Sequence, residues 1–312
     1  MRTAVVALGG NALAPPGESP TIANQFRHTR ESLEPIVELA LEGWDLCVVH
    51  GNGPQVGDEV ERHELARNES PPLPLGVLVA ATAGWIGYMI QQSLENALVR
   101  AGSDRKVITV ITQVQVDPSD RALLDPTKFI GQEVSAERAK ELAAEGHVVK
   151  ADGNGRLRRV VGSPQPLAVH EIGIIRRLVE EGTVAIAGGG GGAPIYFDNQ
   201  RQGWCGLDAV VDKDLVSAVL ARDLGAELLV ILTDVDAVYA DWGKPTQRAL
   251  RTLSVAEAEQ YDRSGAFGEG SMAPKVRAAI DFVRKTGGRA IITELKHGMS
   301  AVRGEAGTTI TN

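Results

Sequence analysis

Three glycine-rich segments, each directly after a short apolar run, limit most strongly how this chain can fold. They read ALGGNA at residues 7–12, HGNGPQVG at residues 50–57 and AGGGGGAP at residues 187–194. Glycine loses more backbone freedom on folding than any other residue, so these segments predict places where bare backbone is needed. The apolar runs before them are short, which is typical of buried strands rather than helices.

The three segments belong to a longer alternation of short apolar runs with amphipathic stretches. The pattern predicts strands at residues 3–8, 45–50, 106–116, 183–187, 228–232, 289–292 and 308–310. It predicts helices at residues 24–41, 54–67, 76–100, 169–181, 207–224, 255–261 and 274–285. Such an alternation is typical of a mostly parallel sheet with helices on both faces. We therefore expect an α/β protein, with a single domain over residues 1–312.

Residues 116–163 depart from this alternation. A polar, proline-bearing stretch at 115–131 is followed by a short predicted helix at 136–144. Residues 147–163 then alternate around a turn at 152–155, a pattern typical of a β-hairpin. We expect residues 116–163 to form a small protruding subdomain inserted into the α/β domain.

The charge balance argues against a nucleic-acid partner. The 312 residues include 32 lysines and arginines and 40 aspartates and glutamates, which gives a net charge of −8. The basic residues are scattered, whereas a nucleic acid requires a basic face for its phosphates. An acidic protein with an anionic ligand instead needs a few well-placed lysines.

Cysteine content and hydropathy predict the location of the protein. Only Cys47 and Cys205 are present, which argues against a disulfide framework and favours a reducing compartment. A charge-free stretch at 70–94 has the length of a membrane span, but prolines, glycines and glutamines interrupt it. It is better interpreted as a helix buried in the protein or at a subunit interface. We expect a soluble cytoplasmic protein with no membrane partner.

The glycine segments together predict a cradle for an anion. Ligands of open parallel sheets bind at the carboxyl ends of strands, where each segment begins. Glycine there allows backbone N–H groups to face a phosphate, and a helix N-terminus favours negative charge. For any one segment alone a tight turn is the better explanation, but three at matching strand ends favour the cradle. None completes a GxxxxGK[ST] or GxGxxG motif, which argues against a Walker-type nucleotidase and a Rossmann dehydrogenase.

Three lysines are candidates for the positive charge that such a cradle needs. Lys213 lies between Asp212 and Asp214, and we expect Asp214 to orient it toward a transferring phosphoryl group. An equally good alternative is a solvated charge cluster in which aspartate caps a helix. Lys275 opens a predicted helix, and Lys128 lies in DPTKFIG on the predicted subdomain. Phosphoryl transfer needs positioning and positive charge on the migrating oxygens, which lysines from three segments would supply.

Nine motifs in order along almost the whole chain carry a family resemblance. They are VVALGGNAL, HGNGPQVG, GWIGYMIQQSL, TQVQVDP, DPTKFIG, GGGG, VVDKD, LLVILTDVDAVY and GSMAPKV. The set resembles the carbamate kinases of the amino acid kinase family. HGNGPQVG, the lysine of PTK, and DKD are its specific parts, whereas the glycine run alone is not specific.

The resemblance implies a fold and an activity. The fold is a three-layer α/β/α sandwich around a mostly parallel central sheet, eight-stranded or similar, with a protruding subdomain. The activity is reversible, Mg²⁺-dependent phosphoryl transfer between carbamoyl phosphate plus ADP and carbamate plus ATP, commonly in arginine catabolism. A homodimer is implied, and the Mg²⁺ would be held mainly by nucleotide phosphates rather than by protein ligands.

The resemblance also implies roles for individual residues. Around the carbamate and the transferred phosphate it places Gly9, Gly10, Asn11, Gly51, Asn52, Gly53, Gly189 and Gly190. As catalytic residues it gives Lys128, Lys213, Asp214 and Lys275. At the nucleotide it places Thr233, Asp234, Val235, Tyr239, Met272 and Pro274.

Two positions depart from related patterns. Many members of the wider family, such as N-acetylglutamate kinase, carry a lysine where this chain has Ala7, and Lys128 would replace that charge. Phe129 stands where proline usually follows the lysine in carbamate kinases, which leaves the rigidity of this loop open.

Two other functions stay open at this point. One is another phosphotransferase of the amino acid kinase family, acting on a different small carboxylate or phosphate. A larger acceptor would need a recognition side chain, and no arginine lies inside the glycine segments. The other is a catalytically inactive nucleotide-binding sensor, which the presence of Lys128, Lys213 and Asp214 argues against.

Overall fold

The computed structural model describes residues 2–15, 17–152, 155–267 and 272–312. The strands are β1 (Thr3–Leu8), β2 (Asp45–His50), β3 (Val107–Thr109), β4 (Gln113–Val116), β5 (Lys128–Ile130), β6 (Val148–Ala151), β7 (Leu157–Val161), β8 (Pro166–Val169), β9 (Val184–Ile186), β10 (Ala193–Asp198), β11 (Gly203–Gly206), β12 (Leu228–Thr233), β13 (Val238–Ala240), β14 (Arg248–Leu250), β15 (Thr252–Ser254), β16 (Arg289–Glu294) and β17 (Thr308–Thr311). The helices are α1 (Gly10–Leu13), α2 (Ile22–Glu31), α3 (Glu34–Leu41), α4 (Gly53–Leu65), α5 (Leu75–Arg100), α6 (Ala136–Ala144), α7 (Ile172–Glu180), α8 (Lys213–Asp223), α9 (Val255–Arg263), α10 (Met272–Thr286) and α11 (Gly298–Val302).

Eight strands form the central sheet, in the order β15-β17-β16-β12-β1-β2-β9-β3. Neighbouring strands are parallel except β16 and β17, which run antiparallel. The central strands β1 and β12 read TAVVAL and LLVILT, the near-continuous apolar pattern of strands that are buried on both faces. The mostly parallel sheet expected from the sequence is confirmed.

Helices cover both faces of the central sheet and complete three layers. On one face, Val5 and Val49 pack in a core with side chains from α7, α8, α9 and α10. On the other face, Val6 and Val48 pack in a second core with side chains from α3, α5 and α11. Successive residues of a strand point to opposite faces, so each strand contributes to both cores. The expected α/β/α sandwich is confirmed.

Two of the predicted elements are wrong, because each is divided into two. The helix predicted at 24–41 breaks where the Ser32 hydroxyl donates to the carbonyl of His28 (2.8 Å) and α3 restarts ahead of Pro35. Proline lacks the N–H that a continuous helix would need there. The strand predicted at 106–116 breaks because β3 pairs with β9, whereas β4 leaves the central sheet to pair with β8 and β10.

A second sheet of four strands, in the order β11-β10-β4-β8, contains elements that sequence analysis does not predict. Residues 166–169 form β8, whereas the prediction assigns no element to 166–168 and begins a helix at 169; α7 begins only at Ile172. The helix predicted at 207–224 likewise begins later, at Lys213, where the side chain of Asp212 accepts from the first backbone N–H groups.

Residues 128–161 form a separate antiparallel sheet in the order β5-β7-β6, and α6 matches the helix predicted at 136–144. The predicted hairpin is formed by β6 and β7, while residues 153 and 154 of its turn lie outside the described residues. The flanking strands β4 and β8 pair with each other, with Val116 opposite Pro166. The chain therefore leaves the α/β core and returns to it at one place.

Helix α5 contains the charge-free stretch of the sequence. One face is fully buried and includes Ile86, Met89 and Ile90. Another face leaves Val77 and Tyr88 about half exposed, at 48% and 55%. Within the described ranges, no helix combines the length and the apolar character that crossing a bilayer requires.

Candidate active site

The first two glycine segments meet at the carboxyl edge of the central sheet. β1 and β2 are parallel neighbours, and the N–H of Gly51 donates to the carbonyl of Leu8 (3.1 Å). Gly9 follows β1, and Gly10 and Asn11 lie in the short helix α1. A Cβ on Gly51 would lie only 2.9 Å from the backbone nitrogen of Gly10. The missing side chains therefore let the two strand ends approach each other directly.

The five-glycine run after β9 packs against the second segment. Positive φ occurs at Gly188 (63°), Gly190 (65°), Gly191 (88°) and Gly192 (77°), where glycine carries no steric penalty. A Cβ on Gly190 would overlap the side-chain amide of Asn52, and one on Gly191 would overlap the carbonyl of Val211. The groups that approach this run most closely therefore belong to the protein itself: the side chain of Asn52, after β2, and the carbonyl of Val211, before α8.

His50 is buried between the second and third segments. Its Nδ1 lies 3.1 Å from the carbonyl oxygen of Gly51, and a Cβ on Gly189 would lie 2.5 Å from its Nε2. Burial lowers the pKa of His50 to about 4, although the backbone carbonyls of Gly51 and Ala83 favour the charged form. The imidazole is therefore neutral at pH 7, and its Nδ1–H is the donor that orients the Gly51 carbonyl.

Asp214 holds two lysines beside the glycine segments. It lies in the first turn of α8, where one carboxylate oxygen accepts from Lys213 and the other pairs with Lys275 of α10 at 3.2 Å. The side chain of Asp214 is 3% exposed. A Cβ on Gly51 would lie 3.2 Å from Cδ of Lys213, so the stem of this lysine runs along the glycine backbone. The two lysines and one aspartate therefore place a net positive charge beside the backbone of the glycine segments.

Burial and opposite charge compete in setting the pKa values of this cluster. Burial would raise the pKa of Asp214, but the ammonium groups of Lys213 and Lys275 hold it below its ordinary value. Burial lowers the pKa of Lys213, against the opposing effect of Asp214. For Lys275, the carboxylates of Asp214 and Asp212 outweigh burial and raise the pKa. The aspartates are thus held ionised, as partners of the lysines.

Lys128 reaches the same cluster from β5. Its ammonium group pairs with the carboxylate of Asp212, the residue that caps α8. Burial would raise the pKa of Asp212, but Lys128 and Lys213 hold it well below its ordinary value. Lys128, Lys213 and Lys275 are thereby brought together through the two aspartates that flank Lys213.

The strand that carries Lys128 is joined to the start of α4. The N–H of Gly131 donates to the carbonyl of Gly53 (3.0 Å). A Cβ on Gly57 would overlap the backbone of Gly131, so this close approach requires glycine at position 57, and Gly131 has a φ of 68° that favours glycine. Gly53 itself lies next to the carbonyl of Phe129. The second glycine segment therefore supports both the cradle and the strand above it.

The residues expected at the nucleotide lie around the ends of β12 and α10. Thr233 ends β12, and Asp234 and Val235 follow in the turn toward β13. Asp234 is close enough to Lys275 for its negative charge to raise the pKa of that lysine. The structure therefore connects this turn to the lysine cluster.

Three more of these residues lie on neighbouring elements. The hydroxyl of Tyr239, on β13, donates to the carboxylate of Asp236 (2.7 Å). Met272 and Pro274 lie in the first turn of α10, just before Lys275. The assignment of Tyr239 to the nucleotide rests on the resemblance.

Sequence analysis misses two residues that organise the site. Asp212 is considered only as a helix cap, although its position in VVDKD is a signal for a second lysine partner. Thr82, in α5, accepts from the side-chain amide of Asn52 (2.9 Å). Nothing in the sequence indicates this contact, because the two residues lie 30 positions apart.

Comparison with known proteins agrees with this geometry. The profile of the amino acid kinase family matches residues 2–294. The chain is 42% identical to the carbamate kinase of Pyrococcus horikoshii over 310 residues, which cover 98% of each protein. It is 44% identical to the carbamate kinase of Haemophilus influenzae over 307 residues, which cover 98% of this chain and 96% of the relative.

Solved structures give the same result. Carbamate kinase from Giardia lamblia bound to citric acid matches with a TM-score of 0.94, and the same enzyme bound to AMP-PNP matches with 0.90. Both are 36% identical to this chain, over 99% of this chain and 98% of theirs. The chain is therefore an enzyme of the amino acid kinase family and belongs among its carbamate kinases.

Proposed function

We propose that the chain catalyses reversible, Mg²⁺-dependent phosphoryl transfer between carbamoyl phosphate plus ADP and carbamate plus ATP. The observation that carries this proposal is the pairing of Lys213 and Lys275 with Asp214 directly beside the glycine segments. A migrating phosphoryl group needs positive charge on its oxygens and close approach of its partners. The similarity to named carbamate kinases, one of them solved with AMP-PNP, supports this choice of substrates.

In this reaction, Lys213 and Lys275 contact the oxygens of the migrating group. Asp214 fixes both ammonium groups before the substrates arrive, so little reorganisation is needed when charge develops in the transition state. The migrating group moves between the carbamate oxygen and the terminal phosphate oxygen of ADP. Because the lysines bind the transition state more strongly than either ground state, they act chiefly on turnover.

On the acceptor side, backbone N–H groups of the first two segments would bind the carbamate and its phosphate. The residues assigned there are Gly9, Gly10, Asn11, Gly51, Asn52, Gly53, Gly189 and Gly190. The contact between Gly10 and Gly51 and the packing of Gly190 on Asn52 support an acceptor as small as carbamate. No arginine occurs inside these segments to recognise a larger acid.

On the donor side, the nucleotide would lie along the end of β12 and the start of α10. The residues assigned there are Thr233, Asp234, Val235, Tyr239, Met272 and Pro274. The Mg²⁺ would enter with the nucleotide as part of the substrate. The donor set supports this, because the two carboxylates of the cluster, Asp212 and Asp214, are already engaged by lysines. Magnesium bound by phosphates and water needs few protein ligands.

We further propose that residues 116–163 act as a lid. Lys128 is the catalytic cation outside the α/β core, and closure over the substrates would exclude water as well as deliver its charge. The segment begins at the end of β4 and ends before β8, and these two strands pair with each other. A segment attached at one place in this way can move as a unit.

A homodimer in the cytoplasm completes the proposal, with a role in arginine and carbamoyl phosphate catabolism. Cys47 and Cys205 are free thiols, which suits a reducing compartment. The substrates are small molecules, and the net charge of −8 argues against a nucleic-acid partner.

The direct test couples ATP formation from carbamoyl phosphate, ADP and Mg²⁺ to a luminescent readout. Wild-type protein should produce ATP, and Lys213→Ala should reduce turnover by about a factor of 10³ without loss of fold. Lys285→Ala, a matched change on the exposed part of α10, should keep wild-type turnover. If wild-type protein forms no more ATP than Lys213→Ala, the proposed activity is wrong.

A further inference from the structure

Arg158, on β7, holds the strand that carries Lys128. Its Nη2 donates to the carbonyl oxygen of Gly131 at 2.7 Å. Its guanidinium carbon lies 5.6 Å from the centre of the Phe129 ring, within the range of a cation–π contact. The same side chain therefore contacts the residues on either side of Ile130.

The environment of Arg158 differs from that of an ordinary surface arginine. Its guanidinium contacts a backbone carbonyl and an aromatic ring, and its buried Nε has no hydrogen-bond partner among the described residues. Burial lowers its pKa below the ordinary value of arginine. The negative charge of Asp152 opposes this lowering of the pKa, but the direct contacts of the guanidinium are those with Gly131 and Phe129.

The contacts of Arg158 continue into the glycine cradle. The carbonyl of Gly131 accepts from Arg158, while the N–H of Gly131 donates to the carbonyl of Gly53 at 3.0 Å. Phe129, whose ring lies under the guanidinium, directly follows Lys128. Arg158 thus contacts the strand that carries Lys128 at two points, the ring of Phe129 and the carbonyl of Gly131.

We propose that Arg158 is a positioning residue for Lys128, holding β5 so that the ammonium group reaches the phosphoryl group in transfer. The proposal rests on the proposed function, because it assigns no chemistry to Arg158 itself. Without the guanidinium, β5 keeps its pairing with β7 and the hydrogen bond from Gly131 to Gly53, but it loses the two contacts with Phe129 and Gly131. A long, flexible lysine loses effective alignment from small shifts of its backbone.

The test compares Arg158→Met with Arg156→Met, which removes an arginine two residues earlier that pairs with Asp152 at 2.8 Å. Arg158→Met should lower kcat for ATP formation about tenfold or more, with the KM for ADP changed less than about twofold. In a Lys128→Ala background, Arg158→Met should have almost no further effect, because both changes remove the same interaction. Arg156→Met should leave kcat unchanged.

A second readout does not depend on activity. Hydrogen exchange of the peptide covering residues 126–133 should be faster in ligand-free Arg158→Met than in wild type or Arg156→Met. Phe129→Leu, which removes the ring alone, should give part of both effects if Arg158→Met folds poorly. If wild-type protein forms no ATP, the proposed function is wrong. The exchange experiment would still show whether Arg158 holds β5 in place. Wild-type kcat in Arg158→Met, or full additivity with Lys128→Ala, overturns the positioning role.

Discussion

His50 is neutral and buried at the centre of the glycine segments, which makes stability depend on pH. Its pKa is about 4 in the folded chain against 6.5 when unperturbed, so as the pH falls the unfolded chain binds a proton first. The contribution of neutral His50 to the free energy of unfolding is therefore fully present above pH 6.5 and is lost as the pH falls toward 4. Urea unfolding should show a loss of about 2 kcal/mol between about pH 7 and about pH 4.5 from this residue.

Two variants isolate this contribution. His50→Asn keeps a side-chain N–H near the Gly51 carbonyl but does not titrate, so its acid-dependent loss should be about 2 kcal/mol smaller than that of wild type. His63→Asn, at a partly exposed histidine on α4, should keep the full wild-type dependence. Equal pH dependence in His50→Asn and wild type would contradict the assignment.

Lys128 should matter for turnover and not for nucleotide affinity. It reaches the cluster through Asp212, while the residues proposed to bind the nucleotide lie around β12 and α10. Lys128→Ala is expected to lower kcat by about 10²–10³, with the Kd for ADP within about threefold of wild type. Calorimetric titration of ADP and the coupled assay measure the two quantities.

The matched control is Lys150→Ala, which removes a lysine of β6 that pairs with Asp125 at 2.9 Å on the outer side. It should leave both quantities unchanged. If Lys128→Ala weakens ADP binding as much as turnover, Lys128 is a nucleotide ligand and the lid assignment is wrong.

At the scale of elements, α4 supports the β5-β7-β6 sheet at both of its ends. Its first residue, Gly53, accepts from Gly131, and Glu64 near its last turn meets three basic side chains. Those three come from α6, the following loop and β7: Arg138 at 3.3 Å, His147 at 3.4 Å, and Arg159. A single helix thus aligns the candidate lid with the cradle.

Replacing Glu64 by glutamine should loosen this support. The Glu64 side chain is 16% exposed, so its removal leaves partly buried positive groups without their carboxylate. We expect Glu64→Gln to lower the free energy of unfolding by about 2 kcal/mol. Glu141→Gln, at a 63% exposed residue that also pairs with Arg138, should cost less than about 0.5 kcal/mol. Equal losses in chemical denaturation would show that Glu64 is an ordinary surface carboxylate.

At the scale of the whole molecule, an apolar surface lies along α5 and the edge of the central sheet. Val77 and Tyr88 of α5 are 48% and 55% exposed, and Ile108 and Ile111 near the edge strand β3 are 40% and 47% exposed. A surface of this kind on a monomer favours association, and a two-fold dimer is the commonest outcome. We expect the protein to be dimeric through this surface.

Sedimentation at micromolar concentration measures the outcome. Tyr88→Lys should shift the protein toward monomer, because it places a charge in the apolar surface. Val99→Lys, at a 70% exposed position beyond the charge-free part of α5, should leave the wild-type state unchanged. A folded wild-type monomer would rule out the interface and leave the burial of α5 unaffected.

The sequence by itself determines which segments become the central strands and where bare backbone is needed. The strands predicted at 3–8 and 45–50 match β1 and β2, and the helix predicted at 136–144 matches α6. These signals are local, because apolar periodicity and capping act over a few residues. The three glycine segments and Lys213 with Asp214 are likewise visible in the sequence, since each functional group lies within one short motif.

Only the tertiary structure decides which distant groups meet. Asp212 accepts from Lys128, 84 residues away, and Asn52 donates to Thr82 across 30 residues. The strand predicted at 106–116 splits because its second half pairs with β8 and β10 rather than with the central sheet. Such contacts depend on how whole elements pack. No local pattern encodes them, because the same aspartate or threonine would cap a helix or face solvent equally well in another fold.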